Sequence, residues 1–284
     1  MTSLRTALFE TTHDEKRTDD YYSPVAGWVL GLLEKFRSST KRPYFLGISG
    51  PQGSGKSTLA ESLAKAFPQT GIKTVTFSTD DLYRTHDELT ALAKAHPGDP
   101  LFQVRGFAGT HDVDLGARVL ASLAAGRPTK IPKYDKAAHD GKGDRAPESA
   151  WAEVNEPMDL VIFEGWSLGF RARPDDSVEP ALRTANSLLG AYAAWTKPFD
   201  AFVLLEAGEL DFIVDWRVGS ERQRREKGEK TMSDSDARAY IERFIPVYRD
   251  YVPELVQRPP TDAFMKIVLG KNRQPVTMFG TVAE

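Results

Sequence analysis

The run Gly50-Pro51-Gln52-Gly53-Ser54-Gly55-Lys56-Ser57 constrains this chain more than any other feature. An apolar stretch, Tyr44-Phe45-Leu46-Gly47-Ile48-Ser49, leads into it. Beyond it Leu59, Leu63 and Phe67 recur at helical spacing. A strand, a glycine-rich turn and a helix in this order form the phosphate-binding loop G-x-x-x-x-G-K-S/T. The glycines let the backbone fold tightly, so that successive N–H groups point at one anion. The helix adds its positive N-terminal end to the same point. Lys56 is then placed to reach β- and γ-phosphates and Ser57 to ligate Mg²⁺, with Gly50, Gln52, Gly53, Ser54, Gly55 and Thr58 completing the cradle. The chain is expected to bind a nucleoside triphosphate.

Four further strands are expected from short apolar, β-branched runs over 73–78, 159–164, 200–206 and 263–269. None alternates cleanly, as in parallel strands covered on both faces. Helical patterns fall between them at 112–125, 180–195, 210–225 and 233–252. The fold class read from this order is α/β, a doubly wound parallel sheet of the P-loop NTPase kinase type. Residues 1–40 form an N-terminal extension, polar and loosely ordered over about the first twenty residues, then one packed helix carrying Val25, Trp28, Val29, Leu32, Leu33 and Phe36. The kinase domain runs over 41–284. About eighty residues separate its second and third strands, far more than a crossover needs. This insertion (80–158) is read as the wall of an acceptor site, and 217–233 as a lid.

Strand ends carry the remaining chemistry, because ligands of open α/β sheets bind beyond the carboxyl ends of the strands. Ser78-Thr79-Asp80-Asp81-Leu82-Tyr83 ends the second strand. Asp80 is assigned as the group that accepts the proton of an attacking hydroxyl; Asp81 is assigned to helix capping or to a metal-bound water. Glu164, ending the third strand, is placed to hold Mg²⁺ through water. In the insertion Arg105 and Arg145 suit a carboxylate or phosphate, which an arginine grips with two parallel hydrogen bonds; surface salt bridges are the equally weighted alternative. His111, before Asp112, reads as part of a helix cap. The basic stretch Arg217, Arg222, Arg224, Arg225, Lys227 and Lys230 is interspersed with acids and reads as a solvated helix face or a mobile lid hinged at Gly228. Arg222 is assigned as the lid arginine that neutralises charge on a transferred phosphoryl group. Tyr240, Phe244, Val247, Tyr248, Tyr251 and Leu255 form an apolar stripe and read as core.

GPQGSGKST, STDDLY, RGFAGTHD, PKYDKAAHDGKGDR, FEGWSLGF and the late MSD segment, in this order, resemble the D-glycerate 3-kinase family, within the group that contains uridine kinase, phosphoribulokinase and pantothenate kinase. The likeness spans residues 42–270. It implies ATP- and Mg²⁺-dependent phosphorylation of the 3-hydroxyl of D-glycerate, a small anionic alcohol. Lys56 and Ser57 would hold the ATP phosphates and Mg²⁺. Asp80 would be the base, Glu164 the acidic strand end, and Arg105, Tyr134, Lys136 and Arg145 would lie on the acceptor side. Leu82, where an aromatic residue is expected, and Ala137, where a serine is expected, depart from the pattern without removing a catalytic group.

Composition narrows the alternatives. Cysteine is absent, which excludes disulfides and thiolate metal sites. No run approaches a membrane span and the polar start Met1-Thr2-Ser3-Leu4-Arg5 lacks a signal-peptide core, so a cytoplasmic protein without membrane association is expected. A net charge of −3 argues against a nucleic-acid partner. The competing functions are a kinase of the same group with another acceptor, an ATP-binding regulatory protein, and a nucleic-acid-dependent ATPase working through the basic segment at 217–230. The turn Gly270–Arg273 is the candidate for contact with adenine.

Overall fold

A computed structural model describes residues 21–229 and 231–281. The polar start at 1–20 and Lys230 lie outside the described residues. Helix α1 (Tyr22–Arg37) buries Val25, Ala26, Val29 and Leu33, as its spacing requires, and joins the main hydrophobic core. Strand β1 (Tyr44–Ser49) is buried along its whole length and runs into α2 (Lys56–Ala66). Then follow β2 (Thr74–Ser78), α3 (His86–Ala95), α4 (Val113–Ala124) and four short strands, β3 (Thr129–Ile131), β4 (Tyr134–Asp135), β5 (Asp144–Arg145) and β6 (Ala152–Val154). Strand β7 (Leu160–Gly165), helices α5 (Arg183–Leu188) and α6 (Ala193–Thr196), and β8 (Ala201–Ala207) return the chain to the sheet. Helices α7 (Leu210–Glu226), α8 (Asp234–Glu242) and α9 (Ile245–Gln257) precede β9 (Phe264–Leu269) and β10 (Pro275–Gly280).

Among the described residues the sheet has six strands in the order β10-β9-β8-β1-β7-β2. All neighbours are parallel except the β9–β10 edge pair. The expected α/β fold with a doubly wound, mostly parallel sheet is therefore present. Its order reverses at β1, where the chain departs first toward β2 and later toward β8, opening a crevice at the carboxyl ends. Register decides what meets there. Glu164 of β7 pairs with Ile48 on one side and with Ser78 on the other. Hence the phosphate loop, Glu164 and the Thr79-Asp80-Asp81 turn lie side by side although they are far apart in sequence.

Three elements differ from their sequence pattern. The expected helix over 180–195 is broken into α5 and α6 by a tight turn at Leu189–Tyr192, where Gly190 weakens helical continuity. The helix expected over 233–252 is two helices, because Pro246 cannot donate to a preceding turn and so occupies the first turn of α9. Phe244 at the break is fully buried and stacks on Phe107 at 4.3 Å, fixing the insertion against α8 and α9. The insertion also holds α3 and two antiparallel ribbons, β3–β6 and β4–β5, that its loop-like composition concealed.

Candidate active site

The phosphate loop has the geometry its glycines predict. Gly53 and Gly55 have φ values of +82° and +94°. A Cβ on Gly53 would also lie 2.9 Å from the Trp216 Cβ, so both conformation and space demand glycine there. The loop is buttressed from behind. Arg273 Nε donates to the Gly53 carbonyl at 2.5 Å and Trp216 Nε1 to the Lys271 carbonyl at 2.6 Å, so the Gly270–Arg273 turn packs against the loop. The Gln52 N–H donates to the Tyr248 hydroxyl at 3.2 Å, and that hydroxyl donates to the Gln52 side-chain carbonyl. Ser54 is buried with its hydroxyl unpartnered among the described residues; Ser57 and Thr58 are exposed on the first turn of α2.

Glu164 joins the loop to the sheet. Its Oε1 accepts from the Ser57 hydroxyl at 2.8 Å and its Oε2 lies 3.9 Å from Lys56 Nζ. The residue is 5% exposed, and Oε2 has no hydrogen-bond partner among the described residues. A buried carboxylate oxygen left unsatisfied is costly, and a nearby cation removes that cost. Glu164 and Ser57 offer hard oxygen donors, and no group of three or more acidic or histidine ligands occurs among the described residues. That donor set suits Mg²⁺, which takes one or two protein oxygens and completes its shell with phosphate and water.

Asp80 forms the opposite wall. Ser78 caps the short turn Thr79–Leu82, and the Asp81 carboxylate accepts from the Ser78 N–H at 3.0 Å, the capping role expected of Asp81. Burial pushes the Asp81 carboxyl up to about 6. With Asp81 committed to the backbone, Asp80 is turned toward the insertion. Its Oδ1 accepts from the Tyr83 hydroxyl at 2.9 Å and its Oδ2 from Lys136 Nζ at 2.6 Å. Burial by itself would raise this carboxyl; the charges of Lys136 and Lys56, with the two hydrogen bonds, outweigh it and hold Asp80 well below the usual carboxylate range. Asp80 is thus an anion that feels the phosphate-loop lysine.

The acceptor-side residues gather here through the β4–β5 hairpin. Arg105 stands over the Tyr134 ring at 5.5 Å and donates through Nη1 to the carbonyls of Gly141 (2.9 Å) and Lys142 (2.5 Å). Tyr134 is buried, its hydroxyl unpartnered among the described residues. Arg145 is turned inward, donating to the Tyr83 carbonyl at 2.9 Å and pairing with Asp112 at 3.2 Å. It therefore braces the site's floor. Asp112 caps α4, and His111, expected in that cap, is instead buried with its ring stacked on Tyr83 at 4.5 Å. Burial lowers the His111 imidazole to about 4. The Tyr192 hydroxyl accepts from the Gly109 N–H at 2.9 Å and shares a hydrogen bond with His111 Nδ1, also at 2.9 Å.

The basic stretch of α7 divides between two faces, and Arg222 is on the outer one. Arg222 is exposed and bound to Asp234 at 2.6 Å on the outer face of α7. Arg217, one turn earlier, faces inward over the Tyr240 ring at 5.1 Å, its Nε buried and unpartnered among the described residues. Tyr240 and Tyr248 are pushed up chiefly by burial, and both feel the charges of Asp80 and Arg217. Arg217 thus lies on the side of the phosphate loop and Asp80; helical phase turns Arg222 away.

Comparison with known proteins places this arrangement. Residues 45–176 match the Phosphoribulokinase / Uridine kinase family. The uncharacterized kinase mug58 of Schizosaccharomyces pombe is 38% identical over 266 residues, covering 88% of this chain and 96% of that protein. The chain belongs to this kinase family. Chloroplastic D-glycerate 3-kinase of Arabidopsis thaliana is 35% identical over 283 residues, covering 94% of this chain, which spans 62% of the plant enzyme's length. A D-glycerate 3-kinase from Cryptococcus neoformans superposes with a TM-score of 0.82 at 28% identity, covering 91% of this chain and 98% of the fungal one. The family is therefore the one whose motifs the chain carries, and the protein is a P-loop kinase, an ATP-binding phosphotransferase. Among the described residues no helix is long and apolar enough to cross a membrane.

Sequence reasoning named Arg217 only as one of the basic stretch, and missed the contacts of Tyr83 and the His111–Tyr192 pair. Arg217 had a readable signal: with Val214 and Val218 it lies on a face of α7 that is otherwise buried, four residues before Glu221. Tyr83 stands three residues after its partner Asp80, within the STDDLY run; Tyr192 had no signal, because its partners Gly109 and His111 come from another element.

Proposed function

We propose that this kinase transfers the γ-phosphoryl group of ATP to the 3-hydroxyl of D-glycerate. The observation that carries the reading is Asp80, a half-buried anion held by Lys136 and Tyr83 within reach of Lys56's charge. In this reading the loop from Gly50 to Thr58 cradles the phosphates, with Lys56 on the γ-phosphoryl oxygens. Ser57 and Glu164 would hold Mg²⁺, which when bound neutralises charge on the β- and γ-oxygens. Asp80 orients the acceptor hydroxyl and takes its proton, Lys136 moves from Asp80 to the acceptor's carboxylate, and Arg105 and Tyr134 close the pocket around it. Arg217 neutralises charge on the phosphoryl group in flight. Phosphoryl transfer depends on positioning and electrostatics, and this constellation supplies both without a covalent intermediate.

Two cationic side chains beside Asp80 favour an anionic acceptor over a nucleoside. The named activity of the plant and fungal relatives favours D-glycerate among anionic alcohols. ADP release measured across D-glycerate, glycerol, uridine, pantothenate and ribulose 5-phosphate tests the reading. Stimulation by D-glycerate alone is expected; stimulation by uridine without D-glycerate, or by no acceptor, would overturn it. The soluble cytoplasmic setting expected from the sequence is proposed with it, and fractionation of cells expressing the full chain is its check.

A further inference from the structure

Glu221 is a carboxylate in the second half of α7 and is only 1% exposed. Its Oε1 lies 2.7 Å from Arg217 Nη2 and 3.7 Å from Arg224 Nη1, and its Oε2 accepts from the Met232 N–H at 3.2 Å. Burying a carboxylate costs several kcal/mol unless partners surround it, so this group is held for what it organises. It closes a circuit. Helix α7 ends at Lys227, the chain reverses at Gly228 with φ +81°, and Met232 returns to Glu221 just before Ser233 caps α8. Helix α8 then carries Tyr240 under the Arg217 guanidinium. A bond from Glu221 to Nη2 and a ring beneath the guanidinium plane fix that plane in two directions, and Nε is the edge left without a hydrogen-bond partner.

We propose that Glu221 is a positioning residue for phosphoryl transfer: it aims Arg217 at the reacting phosphoryl group and ties that aim to the seating of Met232 at the entry to α8. The inference rests on the role given to Arg217 above. Arg222 and Arg225 share Asp234 on the outer face; Arg225 also donates to the Met232 carbonyl at 2.7 Å and so steadies the same turn from outside, while Arg222 does not enter the circuit.

The test is steady-state kinetics of Glu221→Gln, Arg217→Ala and the double variant, with Glu221→Asp as the conservative change. Glu221→Gln should lower kcat about tenfold or more while both KM values stay within about twofold, since the arginine is needed chiefly where charge develops. The double variant should be no slower than Arg217→Ala, because Glu221 acts through that arginine. Glu221→Asp should regain part of kcat. Normal kcat in Glu221→Gln beside a slow Arg217→Ala overturns this inference alone, as does an additive loss in the double variant. Normal kcat in Arg217→Ala overturns the lid-arginine reading beneath it. Should Glu221→Gln fail to fold, Glu221→Asp decides: kcat equal to wild type overturns the proposal, and reduced kcat at unchanged KM supports it.

Discussion

Replacing Lys136 by Met separates an acceptor-binding charge from a merely structural ion pair. Lys136 Nζ lies 2.6 Å from Asp80 Oδ2, with the two side chains 58% and 31% exposed. At that exposure the pair itself stabilises the fold by about 1 kcal/mol or less, so the thermal midpoint should hardly move. Activity should respond far more. Removing one partner of a charge contact costs 2–5 kcal/mol when desolvated, and a half-exposed lysine falls at the low end, about 2 kcal/mol or about thirtyfold in kcat/KM. That loss applies to D-glycerate and not to glycerol, which has no carboxylate, so the preference between them should shrink by the same factor. A second readout comes from Asp80. Burial raises its carboxyl, and Lys136 is the foremost of the charges that hold it down. Without Lys136 the carboxyl moves upward, and the acid limb of the kcat profile should move to higher pH. Coupled ADP release against both acceptors across pH measures both. An unchanged glycerate preference with an unchanged acid limb would refute the placement of Lys136 and Asp80 at the acceptor.

Further outcomes follow from other parts of the structure. Asp80→Asn keeps the shape and removes the proton acceptor, so kcat should fall about 10²- to 10⁴-fold while the protein still binds ATP; near-normal turnover would dismiss Asp80 as base. Gly53→Ala should cost about 2 kcal/mol or more, from a φ of +82° and a 2.9 Å contact with Trp216, read as a lowered urea midpoint and weakened nucleotide binding. Glu164→Gln should raise the Mg²⁺ concentration for half-maximal turnover about tenfold, and an unchanged Mg²⁺ titration would remove Glu164 from the metal site. His111 supplies a stability test. Burial places its folded value at about 4 against 6.5 in the unfolded chain, so the unfolded state binds more protons between these values. Stability should be full above about pH 6.5 and decline by up to about 3 kcal/mol as pH falls toward 4, a decline that His111→Gln should flatten in urea titrations.

What the sequence disclosed was local chemistry at the ends of apolar strands. The phosphate loop, Asp80, Asp81 and Glu164 each announce themselves through a few neighbouring residues. Ser57 and Glu164 touch only because β7 inserts between β1 and β2, a register that linear order does not state. The β4–β5 hairpin that carries Tyr134 and Lys136 looked like loop, since glycine and charge mask strands of two residues each. Arg222, expected to act, faces outward because charge density does not report helical phase, while the buried Glu221 beside Val214 and Val218 marks the face that turns inward. Helix α3 was overlooked although Thr85 and Glu88 spell out a capping box.

In the proposed reaction Lys56 and Asp80 bracket a small anionic alcohol at the end of the triphosphate. The most direct measurement follows ³¹P resonances while the protein turns over Mg-ATP with D-glycerate. The account predicts a single new phosphomonoester, 3-phosphoglycerate, formed in step with ADP. Inorganic phosphate alone, or no phosphorylated glycerate while another alcohol is phosphorylated, would contradict it.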